Sequence, residues 1–225
     1  MNSGTDHIEN LLPGAAVQKW RQEFSRDKLV LIRDAVSSEV ILKWSSIAEE
    51  LVEDYGVDIH RENDGMPLDY RVVTGDVIRQ HWRELYDFYT SPKTRDWVRN
   101  LTGDGHIFVS RNLKSSVNIN SMRTPGQIYR WHTDAIPYTL LLFLTDVPES
   151  DGGALEITPA GCGDSPVAIQ PRAGSIVLMD GSICRHRVAP LLSPRQRLTV
   201  PMVYPTVEDD SRPPGLDDYL YAPER

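Results

Sequence analysis

The chain has 225 residues, 40% of them apolar and 25% charged, with a formal net charge of −8. That length and mixture describe one soluble globular domain with a full core, and the acidic balance argues against a surface that holds a phosphate backbone. No run of about 18 apolar residues occurs, so no membrane span is expected.

The opening stretch, MNSGTDHIENLLPG, lacks a basic start followed by an apolar segment and does not read as a secretory signal. The two cysteines, Cys162 and Cys184, are too few for a disulfide framework, which fits a reduced, cytoplasmic setting. Residues 15–27 read as a short helix and 28–36 as a strand. Residues 37–56 form a clear helix: Ser37 or Ser38 caps it, Val40, Ile41, Trp44, Ile47 and Leu51 make an apolar stripe, and Gly56 stops it. Residues 57–75 are polar and without clear period, so they read as a loop. Residues 76–91 and 91–103 read as two more helices, the second with Pro92 in its first turn and Gly103 as terminator.

After Gly105 the pattern changes. HIFVSRNL, SVNINSM, QIYRWHTD, YTLLLFLTD, ALEITP, SIVLMD, RHRVAP and QRLTVPMVYP are short apolar or alternating stretches, parted by Gly- and Pro-rich turns. Strands at this spacing point to an antiparallel sandwich or barrel. The expected plan is one domain over 1–225: helices over 1–104 packed outside, a strand core over 105–205, and an acidic, Pro-rich tail over 206–225 that wraps the surface or stays partly disordered.

The chemistry concentrates in WHTD, residues 131–134. His132 and Asp134 stand two apart at the edge of a strand and so lean to one side. Alone they could be an ordinary hydrogen-bonded pair. His186, after the strand SIVLMD, offers a second imidazole. Two histidines and a carboxylate cap one face of an octahedral ferrous ion and leave positions open. A closed structural zinc site would need more cysteine or histidine.

H-x-D on an early core strand, DGGALEITP after the next, GSIVLMDGSICRHRVAP and then RQRLTV together resemble the Fe(II)- and 2-oxoglutarate-dependent dioxygenases, most clearly over residues 118–204. FSRDKLVLIRDAVSSEVI is similar to the opening of their phytanoyl-CoA-hydroxylase-like members. The resemblance implies an α+β fold with a double-stranded β-helix (jelly roll, cupin-like) core. It also implies Fe(II) on His132, Asp134 and His186, with 2-oxoglutarate as cosubstrate and O2 as oxidant. An arginine downstream of His186 would take the distal carboxylate of 2-oxoglutarate, since guanidinium donates two parallel hydrogen bonds. Arg195 and Arg197 both qualify by spacing. Arg197 is preferred because it begins an alternating strand and shares a face with Thr199; Arg195 sits in the preceding turn and is expected to meet solvent.

Asn118 and Asn120 share a face of a core strand, and contact with cosubstrate or substrate stands beside plain structural bonding. Tyr129, Trp131 and Tyr138 read as core or pocket wall, DGG at 151–153 as a turn only, and Arg111, Lys114, Arg123 and Arg130 as a solvated basic face. The activity implied is hydroxylation, or another C–H oxidation, of a small metabolite such as an amino acid or natural-product intermediate, releasing succinate and CO2. A protein side-chain hydroxylase, a desaturase or cyclase, and a non-catalytic jelly-roll binding protein are the other readings. The expected partner is a small molecule, not nucleic acid or membrane; the oligomeric state is open, a homodimer among the options. In related halogenases a small residue stands at the Asp134 position and chloride binds iron there.

Overall fold

A computed structural model describes residues 14–61, 67–161, 165–208 and 215–222. The order is α1 (Gly14–Asp27), β1 (Leu29–Ile32), α2 (Ser38–Tyr55), β2 (Val57–Arg61), β3 (Leu68–Val73), α3 (Gly75–His81), α4 (Arg83–Thr90) and α5 (Pro92–Thr102). The strand-rich half follows: β4 (Ile119–Met122), β5 (Ile128–His132), β6 (Tyr138–Phe143), β7 (Leu155–Ile157), β8 (Val167–Ile169), β9 (Ile176–Asp180), β10 (His186–Val188) and β11 (Arg197–Tyr204), before a last helix, α6 (Leu216–Tyr221).

The strands join antiparallel in one curled sheet, in the order β1-β9-β6-β11-β4-β3-β5-β10-β7-β8, with β2 paired to β3. Its two ends face each other: Leu29, Leu141, Phe143, Val177 and Met179 pack against Leu155, Ile157 and Ile169. The fold is the jelly roll with helices outside. Alternation along β11 shows how the faces divide. Leu198, Val200, Met202 and Tyr204 join the helix-covered core, while Arg197, Thr199, Pro201 and Val203 face the interior cavity. β6 does the same, Leu140 and Leu142 outward under the helices and Leu141 inward. Both faces of β6 are buried, so it reads as a nearly continuous apolar run.

The helix ends follow their sequence signals. Ser37 caps α2 by accepting from the Val40 amide, and Ser91 caps α5 by accepting from Thr94, with Pro92 in the first turn and Gly103 left-handed at φ 75°. Three expectations are corrected. Residues 57–61 and 68–73 are strands rather than loop: Val57↔Val72 through Arg61↔Leu68 pair antiparallel, because Ile59, Leu68, Tyr70 and Val72 alternate with polar residues and bury their side of the pair. So strands also occur in the N-terminal half. HIFVSRNL forms no strand; Ile107 joins the core, but outside the ladders the backbone link made there is Phe108 N–H to the Pro205 carbonyl. Residues 76–91 break at Trp82 (φ −133°, ψ 68°), whose ring is buried edge-on to Trp44 at 5.7 Å. Burial of that indole outweighs helical continuity.

On its other edge β3 pairs with β4 through Arg71–Val73 and with β5 through Leu68 and Asp69. It thus belongs to both halves of the sheet. The tail over 206–225 carries α6, which lies across the cavity mouth. Tyr70 Oη donates to the Leu220 carbonyl at 2.9 Å, Arg61 Nη2 to that of Ala222 at 2.7 Å, and Asn112 Nδ2 to Asp217 Oδ2 at 2.6 Å. Among the described residues no helix is long and apolar enough to cross a membrane.

Candidate metal centre

β10 pairs with β5 at His186↔His132 and at Val188↔Tyr129. Two steps on one strand therefore oppose three on the other, a β-bulge at Arg130 and Trp131. The extra residue lets Tyr129 and His132, three apart, both line the cavity. It also leaves the Arg130 carbonyl 2.9 Å from His132 Nδ1. His186 Nδ1 lies 2.9 Å from the Cys184 carbonyl. A carbonyl can only accept, so each Nδ1 carries the hydrogen and each Nε2 presents its lone pair inward.

Asp134 is not on the strand, as its spacing from His132 implies; β5 ends at His132. A turn delivers it instead. Its amide donates to the Gly181 carbonyl at 2.8 Å, and Thr139 Oγ1 donates to its Oδ2 at 2.7 Å. Oδ1 then lies 3.4 Å from His132 Nε2 and 3.7 Å from His186 Nε2. The three donor atoms fall within 4.8 Å of one another, the single grouping of metal-ligand side chains among the described residues. Burial raises the cost of the Asp134 charge, but His186, His132 and Thr139 outweigh it and hold the carboxyl well below the usual range. Burial pushes the His186 imidazole down, toward the neutral, ligating form. Donor type and spacing fit a ferrous ion with open positions.

The cavity, about 200 Å³, also receives Arg197, Thr199, Asn118 and Asn120. Arg197 is 2% exposed. Its Nε donates to the Gly153 carbonyl at 2.8 Å, and its Nη2 is buried with no partner among the described residues. Burial pushes its pKa down to about 10, which leaves it charged at neutral pH. A buried guanidinium with an orphan donor fits a carboxylate guest. Thr199 and Asn120 face each other across β11 and β4. Asn118 Nδ2 is spent on the Lys114 carbonyl at 2.7 Å. Arg195 does not line the cavity; it is exposed and its Nε donates to Asp151 Oδ2 at 2.9 Å. The DGG segment is thus more than a turn: Asp151 holds one arginine and Gly153 the other.

Other histidines stay apart. His60 sits 3.5 Å from Asp69, His106 3.7 Å from Asp104, and His81 stacks on Tyr55 at 4.4 Å; His7 and Cys162 lie outside the described residues. Cys184 is buried, and burial pushes its thiol up to about 11. Tyr129 lines the cavity, but Trp131 is flanked by Arg185 and Arg187 at 5.3 and 5.0 Å. Of the basic group, Arg111 and Lys114 are exposed as expected, and only Arg130 departs from a solvated face. Arg111 pairs with Glu208 and Arg123 with Glu53, while Arg130 lines the cavity. The sequence reading gave no site role to Tyr70, Thr139, Gly181 or the α6 residues, although Thr139 stands in YTLLLFLTD and Gly181 follows SIVLMD; a bulge leaves no signal in spacing.

The chain matches the Halogenase D (HalD) family over residues 12–218. No curated protein matches it. Among solved structures it is similar to the non-heme α-ketoglutarate-dependent epimerase SnoN of nogalamycin biosynthesis, at 16% identity and TM-score 0.70, over 91% of this chain and 90% of that one. A 2OG-Fe(II) oxygenase family oxidoreductase from Burkholderia pseudomallei matches at 14% identity and TM-score 0.70, over 87% and 93%. A Pseudomonas putida prolyl-4-hydroxylase matches at 13% identity and TM-score 0.60, over 84% and 98%. These likenesses show a shared fold.

Proposed function

The chain belongs to the Halogenase D family, and from that premise we propose that it is an Fe(II)- and 2-oxoglutarate-dependent oxygenase acting on a C–H bond of a small metabolite. One observation carries the reading: a His-Asp-His grouping and a buried, partly unpartnered arginine open into the same cavity. SnoN, a structural neighbour, was seen with Fe3+, α-ketoglutarate and a nogalamycin compound.

His132, Asp134 and His186 would hold the iron, and the Nδ1 hydrogen bonds to Arg130 and Cys184 keep both rings aimed at it. Arg197 would take the distal carboxylate of 2-oxoglutarate, with the Thr199–Asn120 pair two residues along on the same face of β11 and β4. Iron with 2-oxoglutarate and O2 supplies the oxidising chemistry, which yields succinate and CO2 and breaks an unactivated C–H bond. Leu141, Leu155 and Met179 keep water from the inner wall. Asp134 is committed as a charged ligand, which favours transfer of oxygen over halide. α6 roofs the mouth, so the site suits a small molecule rather than an extended peptide.

The test is anaerobic titration with Fe(II) and 2-oxoglutarate, followed by a small-metabolite screen for succinate release. A weak visible charge-transfer band that needs both components is the expected result. Absence of the band together with absence of 2-oxoglutarate turnover refutes the proposal.

A further inference from the structure

Three arginines line the cavity: Arg130, Arg187 and Arg197. Arg187 is spent on Glu156, at 2.6 Å. Arg197 is anchored on Gly153 at the inner end. Arg130 has no carboxylate partner among the described residues. The one acidic side chain in the lining is Asp134, committed to the histidines. A cation of intermediate exposure without a counter-ion biases its cavity toward anions.

Arg130 stands two residues before His132 on β5, so alternation turns it to the same side. Its guanidinium lies 5.1 Å from the ring centroid of Tyr219, on the roofing helix α6. Arg61 lies 5.7 Å from the same ring, but is occupied by the His60 and Ala222 carbonyls. Arg130 keeps its N–H donors. Apart from the arginines and Asp134 the lining carries no Lys, Arg, Asp or Glu; it includes Ser115, whose buried Oγ has no partner among the described residues, and Asn118.

Resting on the oxygenase reading above, we infer that Arg130 is a specificity-determining residue: it takes a carboxylate of the primary substrate beneath α6, separately from the 2-oxoglutarate carboxylate at Arg197. A planar guanidinium stacked on an aromatic ring keeps its edge N–H groups in plane for such a partner. A competing role is a peg that only holds α6 down through Tyr219. The two roles differ in what they discriminate. A peg treats all substrates alike; an anion receptor separates an acid from its uncharged amide.

The protein with Fe(II), 2-oxoglutarate and air is offered free amino acids and small hydroxy acids, each beside its primary amide, and succinate is measured. At least one acid should raise release above the substrate-free rate, about tenfold or more better than its amide. In Arg130→Gln that acid-over-amide ratio should fall to about one. Arg130→Lys, which keeps the charge, should retain part of it. Amides as effective as acids, no acid effective, or a ratio preserved in Arg130→Gln overturns the inference and leaves the oxygenase reading standing if substrate-free turnover is present. If neither substrate-free turnover nor the charge-transfer band is seen, the oxygenase reading itself falls and this inference with it.

Discussion

The imidazoles of His132 and His186 lie with ring centroids 4.1 Å apart, tilted by 55°. Each is tethered through Nδ1 to the carbonyl two residues earlier, Arg130 within β5 and Cys184 in the turn before β10. The pair is therefore set by the backbone and waits for a ligand-binding partner rather than for each other.

His186→Ala removes one of three donors while the sheet register stays. Tight Fe(II) binding and turnover should both be lost, beyond the roughly 10–100-fold that loss of an outer partner costs. The far-UV spectrum should not change. Metal analysis and succinate release check this; normal succinate production by the variant would sink the triad.

Arg197→Ala should raise the apparent 2-oxoglutarate requirement strongly, since a carboxylate would enter a buried site without its partner, at a cost of about 2–5 kcal/mol. Arg195→Ala, a surface residue paired to Asp151, should change it little. The 2-oxoglutarate KM of the two variants decides, and the reverse order would assign the role to Arg195.

On the proposed reading, Asp134 should set the reaction type. A carboxylate oxygen and a chloride cannot share one coordination position. Given substrate, oxygen and excess chloride, the wild type should form an oxygenated or desaturated product and no chlorinated one. A chlorine isotope pattern in the mass spectrum would refute this. Asp134→Gly should mostly lose activity, because a charged ligand is gone and Thr139, which donates to it, is left unpaired.

Gly181→Ala tests the turn that delivers Asp134. A Cβ there would overlap the Asp134 carboxylate. Fe(II) affinity should drop by about tenfold or more, with a melting temperature shift of only a few degrees, because the clash falls on one side chain rather than on the core. Iron titration of the purified variant is the readout, and wild-type affinity would show that Asp134 has room to move.

Cys184 bears on pH. Its thiol is pushed from 9.0 up to about 11 by burial. Above about pH 9 the unfolded chain releases this proton while the folded chain keeps it, so stability should fall as pH rises, by up to ~1.4 kcal/mol per unit over that window. Denaturant midpoints at pH 8 and pH 10.5 should differ more for the wild type than for Cys184→Ala. Equal differences would deny the burial effect.

Much of this was readable beforehand. The apolar runs around Leu140–Leu144 and Ile176–Met179 named strands buried on both faces, and the order of His132, Asp134, His186 and Arg197 named the grouping. What escaped was cooperative. Tyr70 and Ile59 sit among charges, and their alternation became a strand pair only through the partners that β3 finds in β4 and β5. Trp82 breaks a helix that local propensity would continue. Arg130 looked like a surface arginine although its spacing from His132 puts both on one side of β5; a lone charge two residues from a ligand gives no sign of which cavity it meets.

The shared strand β3 governs how the molecule can breathe. Its ladder ties both halves of the sheet together, so the cavity walls cannot part without unzipping it. α6 is held by a handful of side-chain bonds to backbone and to Asp217. Local opening should therefore be cheap at the helix and as costly as global unfolding in β3. A small molecule should then enter by the lifting of one short helix, and amide exchange should be fast over 215–222 and slowest at Tyr70 and Val72.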